Sequence, residues 1–270
     1  MYEHVVVPFD GTAEAQRAGM VGADLAQLFG AELVLATVAD LEGDLLDDLK
    51  EAAQRRSDGR ATVWIEPDPS DTEAIRRVVA HRPHSLVCMY SSGRVGVRRA
   101  VYGNFAERLL HELDVPVVVL GPRSEHASVV NLRNLIVCVD GSPTADAALA
   151  IAIAWARVLP LNASVVHIRE HDGDPPVDLA PAVRSLQTCC EVVEAIEEVD
   201  PDPIEAVTEI ARHSSESMLV MATHGRTALQ RVLQGSFTAE LVHRSPLPVL
   251  VARGPLPTVR PEWLDEGEAG

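Results

Sequence analysis

The chain contains the same segment twice. Residues 89–119 and 221–251 align at an offset of 132 positions, and each holds an apolar run, a glycine-bounded loop, a helical stretch and a proline-led apolar run. The matched positions are Gly93 with Gly225, Arg94 with Arg226, Arg99 with Arg231, Gly103 with Gly235, Phe105 with Phe237, and His111 with His243. A repeat of this length is a duplicated domain rather than a solenoid unit.

The duplication extends to the start of each half. The segment VVVPFDGT ends at Thr12 and the segment IVCVDGS ends at Ser142, so that Asp10 matches Asp140. A length of 270 residues suits two domains of roughly 130 residues by the usual size of domains. We therefore expect domains at 1–121 and 132–253, joined by a linker near 122–131, and a loose acidic tail at 254–270.

Short apolar runs alternate with longer amphipathic segments, which predicts parallel strands joined by crossover helices. The expected fold is α/β, with two tandem open parallel five-stranded sheets and helices on both faces. The predicted strands of the first half are Val5–Pro8, Leu33–Val38, Ala61–Ile65, Leu86–Tyr90 and Val117–Leu120. Those of the second half are Leu135–Val139, Ala163–Ile168, Glu191–Ile196, Met218–Ala222 and Val249–Ala252.

The helix starts follow from capping residues. Thr12 and Ser142 are predicted to open the first helix of their halves, Ser70 to cap a helix reaching about His81, and Pro203 to begin another. A charged helix is expected at Leu41–Arg55, and a further helix at Leu179–Cys189.

Composition excludes some classes of function. The net charge of −17 opposes binding to a nucleic-acid backbone. There is no signal-like N-terminal segment and no apolar run of 18 residues, so we expect a cytoplasmic protein without membrane contact. The four cysteines lack the spacing of a redox or zinc motif, and we expect reduced, structural thiols.

The glycine loop belongs to neither of two common nucleotide-binding classes. A Walker loop needs a lysine directly after its glycine, and Lys50, the only lysine, has no glycine beside it. A dinucleotide fingerprint needs G-x-G, which occurs nowhere in the chain. These absences argue against common NTPase chemistry and against hydride transfer.

The remaining pattern, THGRTALQRVLQGS at 223–236, resembles the universal stress protein family. That family's loop reads G-x-x-G, nine residues, then G-S/T. Gly225, the nine residues after it, Gly235 and Ser236 fit this spacing, whereas Ala222 replaces the first glycine. Asp140 matches the family's nucleotide-contacting aspartate, and Ile168 aligns with the residue whose backbone meets adenine. The resemblance covers nearly the whole chain, twice, as in tandem members.

The resemblance implies an adenine nucleotide alpha hydrolase-like fold of the universal stress protein type and ATP, alone or with Mg²⁺, as the ligand. The implied nucleotide-binding residues are Asp140, Gly141, Ser142, Ile168, Ala222, His224, Gly225, Arg226, Gly235, Ser236, Phe237 and Thr238. Glycines let the backbone approach phosphate closely, and a helix that begins at Ser236 offers free N–H groups to an anion.

The first half departs further from the family pattern. Tyr90 stands where the second half has Ala222, a position at which a ring could crowd the nucleotide, and Asn104 stands in place of Ser236. We therefore expect a degenerate loop with a second, weaker site. The residues of this possible second site are Asp10, Val38, Gly93, Arg94, Gly103 and Asn104.

Three functions remain open at this point. The leading one is a cytosolic ATP-binding stress or regulatory protein, and the alternative is a nucleotide-independent interaction or scaffold module. No lysine at phosphate, metal-ligand cluster or nucleophile–base pair is evident, so we expect no enzyme, with slow ATP hydrolysis left open; an ATPase or nucleotidyl transferase is the third reading. The last strands, Val117–Leu120 and Val249–Ala252, are predicted sheet edges that could pair within one molecule as a pseudo-dimer, or between two chains as a homodimer.

Overall fold

The computed structural model describes residues 1–37, 51, 54, 60–65, 71–91, 94–96, 99–101, 104–124, 127–143, 145–223 and 236–253. The strands are β1 His4–Pro8, β2 Glu32–Thr37, β3 Ala61–Ile65, β4 Ser85–Tyr90, β5 Arg94–Gly96, β6 Arg99–Val101, β7 Val117–Leu120, β8 Asn134–Cys138, β9 Asn162–Arg169, β10 Val193–Val199, β11 Ser217–Thr223 and β12 Val249–Arg253. The helices are α1 Ala13–Phe29, α2 Asp71–Ala80, α3 Asn104–Glu112, α4 Asp146–Ala156, α5 Ala180–Leu186, α6 Pro203–Arg212 and α7 Ser236–Arg244. Most of the predicted helix at 41–55, the predicted cap Ser70 and the predicted tail lie outside the described residues.

The two halves form one ten-stranded sheet, in the order β10-β9-β8-β11-β12-β7-β4-β1-β2-β3. Within each half all strand pairs of this ten-stranded sheet are parallel, as predicted. One antiparallel pair joins the halves, with Val249 opposite Val119 and Val251 opposite Val117. The α/β fold is therefore confirmed. The last strands of the two halves, which were expected to be able to pair within one molecule, do so and form the centre of a continuous sheet, because each satisfies the other's backbone N–H and C=O groups.

Helices cover both faces of this sheet. Residues of α1, α4 and α5 pack in one core and residues of α2, α3, α6 and α7 in the other. Successive strand residues alternate between the two: Val5 and Val7 face the first core and Val6 the second. Both faces are covered, which explains why the strands read as continuous apolar runs. In the described part of the chain, no helix has the length and apolarity needed to cross a membrane.

Helix α1 begins as predicted. The Thr12 hydroxyl accepts a hydrogen bond from the Ala15 N–H at 3.1 Å, and the helix ends at Gly30 in the left-handed conformation, with φ 66°. Both ends are therefore set by local sequence.

Helix α4 does not begin at Ser142 as predicted. If Ser142 capped the helix, its hydroxyl would accept a hydrogen bond from the Ala145 N–H. Instead, the Ala145 N–H donates to the Ser142 carbonyl at 3.0 Å. The helix starts at Asp146, and its N-cap, Ala145, makes no side-chain hydrogen bond. The structure also shortens the predicted helix at 179–189 to α5 and places the third strand at Val193–Val199 instead of 191–196.

On one face the halves share a core. The rings of Tyr2, Phe29 and Trp155 meet edge to face at centroid distances of 4.8 to 6.3 Å. The Trp155 indole N–H donates to the Tyr2 hydroxyl at 3.0 Å. Val129 and Leu132, at the end of the linker and just beyond it, are buried in the same core. Val129 and Leu132 therefore belong to the core that the two halves share.

On the other face, contacts of a different kind join the halves. The Gly121 backbone lies so close to α7 that an added Cβ would be 1.8 Å from the Val242 carbonyl oxygen. The Arg253 guanidinium reaches back to the first half, where Nη1 donates to the Leu113 carbonyl at 2.6 Å and to Asp114 Oδ1 at 3.2 Å. The junction is therefore closely packed on both sides of the sheet.

Candidate functional site

The candidate site lies where three adjacent strands of the second half end. Asp140 follows β8, Ile168 lies near the end of β9, and Ala222 lies near the end of β11. These strands are neighbours and parallel, so their carboxyl ends share one edge of the sheet. The chain leaves β8 for α4 on one face and leaves β11 for α7 on the other. Such a divergence opens the crevice in which ligands of open α/β sheets bind.

A fixed turn presents Asp140. Its Oδ1 accepts a hydrogen bond from the Ser142 N–H at 2.9 Å, and Gly141 takes φ 76°, which a residue with a Cβ adopts only with strain. Just before the turn, His167 Nδ1 donates to the Val139 carbonyl at 2.9 Å. This histidine, buried on β9, ties the turn to the neighbouring strand.

Ser142 is the unusual residue of this turn. Its Oγ is buried and has no hydrogen-bond partner among the residues that the structure describes. A buried hydroxyl left unpaired costs free energy, and nearly all such groups in native proteins are paired. The Asp140 carboxylate beside it is exposed and accepts one hydrogen bond from the described residues. The turn therefore combines an exposed carboxylate acceptor with a buried hydroxyl that no described residue pairs.

The segment between β9 and α5 crosses this turn. A Cβ added at Gly141 would be 2.8 Å from Val177 Cγ2, so Val177 packs on the bare side of the glycine. Sequence reasoning missed both His167 and Val177. The polar His167 in an apolar strand was a signal that could have been noticed, whereas Val177 carries none, since only folding brings it to Gly141.

Helix α7 begins at Ser236, as expected. Because α7 connects β11 to the parallel strand β12, its first residue lies at the carboxyl-end edge of β11. Thr238 is buried, whereas Phe237 is exposed. The other predicted loop residues, His224, Gly225, Arg226 and Gly235, lie outside the described residues.

In the corresponding turn of the first half, Asp10 and Thr12 hydrogen-bond to each other. Asp10 Oδ1 accepts from both the N–H and the hydroxyl of Thr12, at 3.0 and 2.6 Å. The same hydroxyl caps α1 by accepting from the Ala15 N–H. Thr12 therefore uses the hydroxyl that its counterpart Ser142 leaves unpaired.

The first-half glycine loop contains a hairpin that the sequence did not predict. Strands β5 and β6 pair antiparallel, with Val95 opposite Ala100; Arg94 begins β5, and Asn104 begins α3. Val38, Gly93 and Gly103 lie outside the described residues. Tyr90, half-buried, packs against the hydrophobic core.

The cysteine side chains are buried or half-buried. All four cysteines are free thiols, and burial raises the pKa of Cys88 on β4 above its ordinary value. Among the described residues, no three His, Cys, Asp or Glu side chains form a group that could hold a metal ion.

Comparisons with known proteins agree with this architecture. A family model, the Universal stress protein family, matches residues 1–60, 40–121 and 131–253. Universal stress proteins of Mycobacterium tuberculosis and Mycobacterium bovis are each 27% identical over 187 residues, 62% of this chain. The match spans 61% of the length of these relatives.

Solved structures show the same fold. A universal stress protein from Archaeoglobus fulgidus superposes with a TM-score of 0.69 at 19% identity, over 94% of this chain and 99% of that one. A protein of unknown function from Pseudomonas aeruginosa gives 0.57 at 16% identity, over 93% and 92%.

Proposed function

The chain belongs to the universal stress protein family, and on that premise we propose that it is a cytoplasmic regulatory protein that binds ATP in its second half. In this proposal 1–121 and 132–253 are its two domains. Asp140 accepts a hydrogen bond from a ribose hydroxyl, the backbone at Ile168 meets adenine, and Ala222 lines the crevice. The nucleotide acts as a signal of state instead of a substrate.

The unpaired hydroxyl of Ser142 carries this proposal. It lies two residues from Asp140, in the turn where the Ser142 N–H donates to the Asp140 carboxylate, at the edge where such sheets bind ligands. A ligand hydroxyl or phosphate oxygen would satisfy it. The equivalent Thr12 has no such need, which supports tighter binding in the second half than in the first.

The glycine loop and α7 supply the phosphate contacts in this proposal. The loop brings His224, Gly225, Arg226 and Gly235, and the first turn of α7 brings Ser236 to Thr238. The free N–H groups at a helix start and the helix dipole both favour an anion there. Mg²⁺ can accompany the nucleotide through its phosphate oxygens.

The same proposal treats the pairing of the two halves as an intramolecular pseudo-dimer. Strands β7 and β12 already pair with each other, so a homodimer would need a surface other than these strands.

Equilibrium binding of ATP to the full chain tests the proposed function. We expect micromolar binding at one site, lost in Asp140→Ala and retained in the matched variant Asp10→Ala. Equal loss in the two variants would contradict the assignment to the second half. Absence of binding to the wild type would favour a nucleotide-independent interaction module.

A further inference from the structure

The hairpin β5–β6 of the first half lies against α7 of the second half. Strand β6, Arg99–Val101, packs alongside the helix that begins at Ser236. The hairpin comes from the first half's glycine loop, whereas α7 follows the second half's glycine loop. Helix α7 therefore contacts the hairpin of the first half's loop and begins where the second half's loop ends.

Helix α7 also contacts other elements near its C-terminal end. The Gly121 backbone touches it at Val242. Near its C-terminal end, Arg244 Nη1 forms an ion pair with Asp202 Oδ2 of the α6 N-cap at 3.0 Å. A nine-residue helix is a stiff rod of about 13 Å. The position of this helix therefore fixes where the N–H groups around Ser236 are presented.

In the first half, the turn at Asp10 leaves no unpaired Thr12 hydroxyl for a ligand to satisfy. Its Asp10 and Thr12 satisfy each other and the α1 N-terminus. Val95 and Val101, residues that favour strands, occupy the hairpin. The loop that contains the hairpin can therefore contact the second half without breaking the hydrogen bonds of Asp10 and Thr12.

We propose that the hairpin β5–β6 is a built-in regulator of the second-half nucleotide site, coupled to it through α7. The proposal rests on the proposed function, because it concerns ATP at that site. Nucleotide bound at Ser236 favours the α7 position against which the hairpin packs. Coupling between two sites is reciprocal, so the packed hairpin strengthens ATP binding by the factor by which ATP stabilises the hairpin.

Hydrogen–deuterium exchange of the full chain, with and without saturating ATP, measures this coupling. We expect exchange in the peptide covering β5 and β6 to slow by about fivefold or more, at the lower end of typical coupling factors. The peptide covering β3, at the far edge of the sheet, is the internal reference and should not change.

Two site variants identify which nucleotide site acts on the hairpin. Protection should persist in Asp10→Ala and vanish in Asp140→Ala. Protection that vanishes in Asp10→Ala and persists in Asp140→Ala would overturn the proposal, because the hairpin would then be the phosphate loop of a working first-half site.

A hairpin variant tests the reverse direction. Ala100→Pro fixes φ and removes an N–H within a paired strand, whereas the matched Ala100→Ser leaves the strand intact. We expect ATP affinity to fall about fivefold or more in Ala100→Pro only. Unchanged affinity in a folded Ala100→Pro protein would overturn the coupling, and if that variant fails to fold, the exchange experiment decides.

Calorimetry and hydrogen exchange together distinguish failure of the proposed function from failure of the coupling. Wild-type protein that binds ATP in calorimetry but shows no hairpin protection retains the proposed function and loses the coupling. Wild-type protein that binds no ATP in calorimetry refutes the proposed function, and the coupling with it.

Discussion

The indole N–H of Trp155 donates a hydrogen bond to the hydroxyl of Tyr2 across a separation of 153 residues. Trp155 belongs to the second half of the chain, and Tyr2 lies at the start of the first half. Both are buried, and Phe29 packs against each of them. The domain pair is therefore joined by a specific polar contact inside an apolar core, which neither domain could form alone.

Replacement of Tyr2 by Phe should destabilise the chain. It leaves the buried Trp155 N–H without an acceptor, at a cost of about 1–3 kcal/mol in the free energy of unfolding. Urea unfolding measures this cost. The double variant Tyr2→Phe/Trp155→Phe should lose less than the sum of the single variants, and strictly additive losses would contradict the contact.

High pH should weaken the fold through Tyr2. Burial raises the pKa of Tyr2 above its ordinary value of 10. The unfolded chain releases this proton first, so the contribution to stability is complete below pH about 10 and is lost as the pH rises further. Unfolding free energies measured from pH 9 to 11 should fall more steeply for wild type than for Tyr2→Phe. Parallel curves would refute this assignment.

Replacement of Gly121 by Ala should damage the junction. The new Cβ would overlap the Val242 carbonyl oxygen, and overpacking against backbone costs about 1–3 kcal/mol or more. Gly173→Ala is the matched control, because its Cβ would meet no atom within 4 Å. Thermal unfolding should show a lower midpoint for Gly121→Ala alone; equal midpoints would contradict the close contact between the Gly121 backbone and α7.

Arg253 should matter more than an ordinary surface arginine. Its side chain is only 13% exposed and bonds the first domain at Leu113 and Asp114. Arg253→Met should cost about 1.5–3 kcal/mol, as for hydrogen bonds to charged groups. The control Arg133→Met removes an exposed pair with Glu216 and should stay within about 0.5 kcal/mol. Guanidinium chloride unfolding compares the two, and a similar small loss in both would show that the cross-domain bonds contribute little.

Removal of the Thr12 hydroxyl should lower stability, whereas removal of the equivalent Ser142 hydroxyl should lower ATP affinity. Thr12→Ala removes the cap of α1 and should cost about 1 kcal/mol of stability. Ser142→Ala removes an unpaired buried hydroxyl, so ligand-free protein should lose no stability, whereas ATP affinity should fall. Chemical unfolding and calorimetry separate the two effects. A Ser142→Ala protein that is less stable yet binds ATP normally would mean that the hydroxyl has a structural partner.

Much of the candidate site could be predicted because its signals are local. The Asp-Gly turns follow apolar strands, and Gly11 and Gly141 take the positive φ that such turns require. The repeat located Asp140 and Ser236 relative to the strands. It did not indicate that Ser142 would fail to cap α4, because this depends on which oxygen, hydroxyl or carbonyl, receives the Ala145 N–H.

By itself the sequence determined the two α/β halves, the chain order of the ten strands of the main sheet, and the turns at Asp10 and Asp140. Apolar runs, caps and glycines act on neighbouring residues, so their effects can be derived from contiguous sequence. Only the tertiary structure decided the fusion into one sheet, the packing of Val177 on Gly141 and the placement of the hairpin on α7. Those contacts join residues distant in the chain, and their stability depends on close packing and hydrogen-bond geometry that exist only once both halves have folded together.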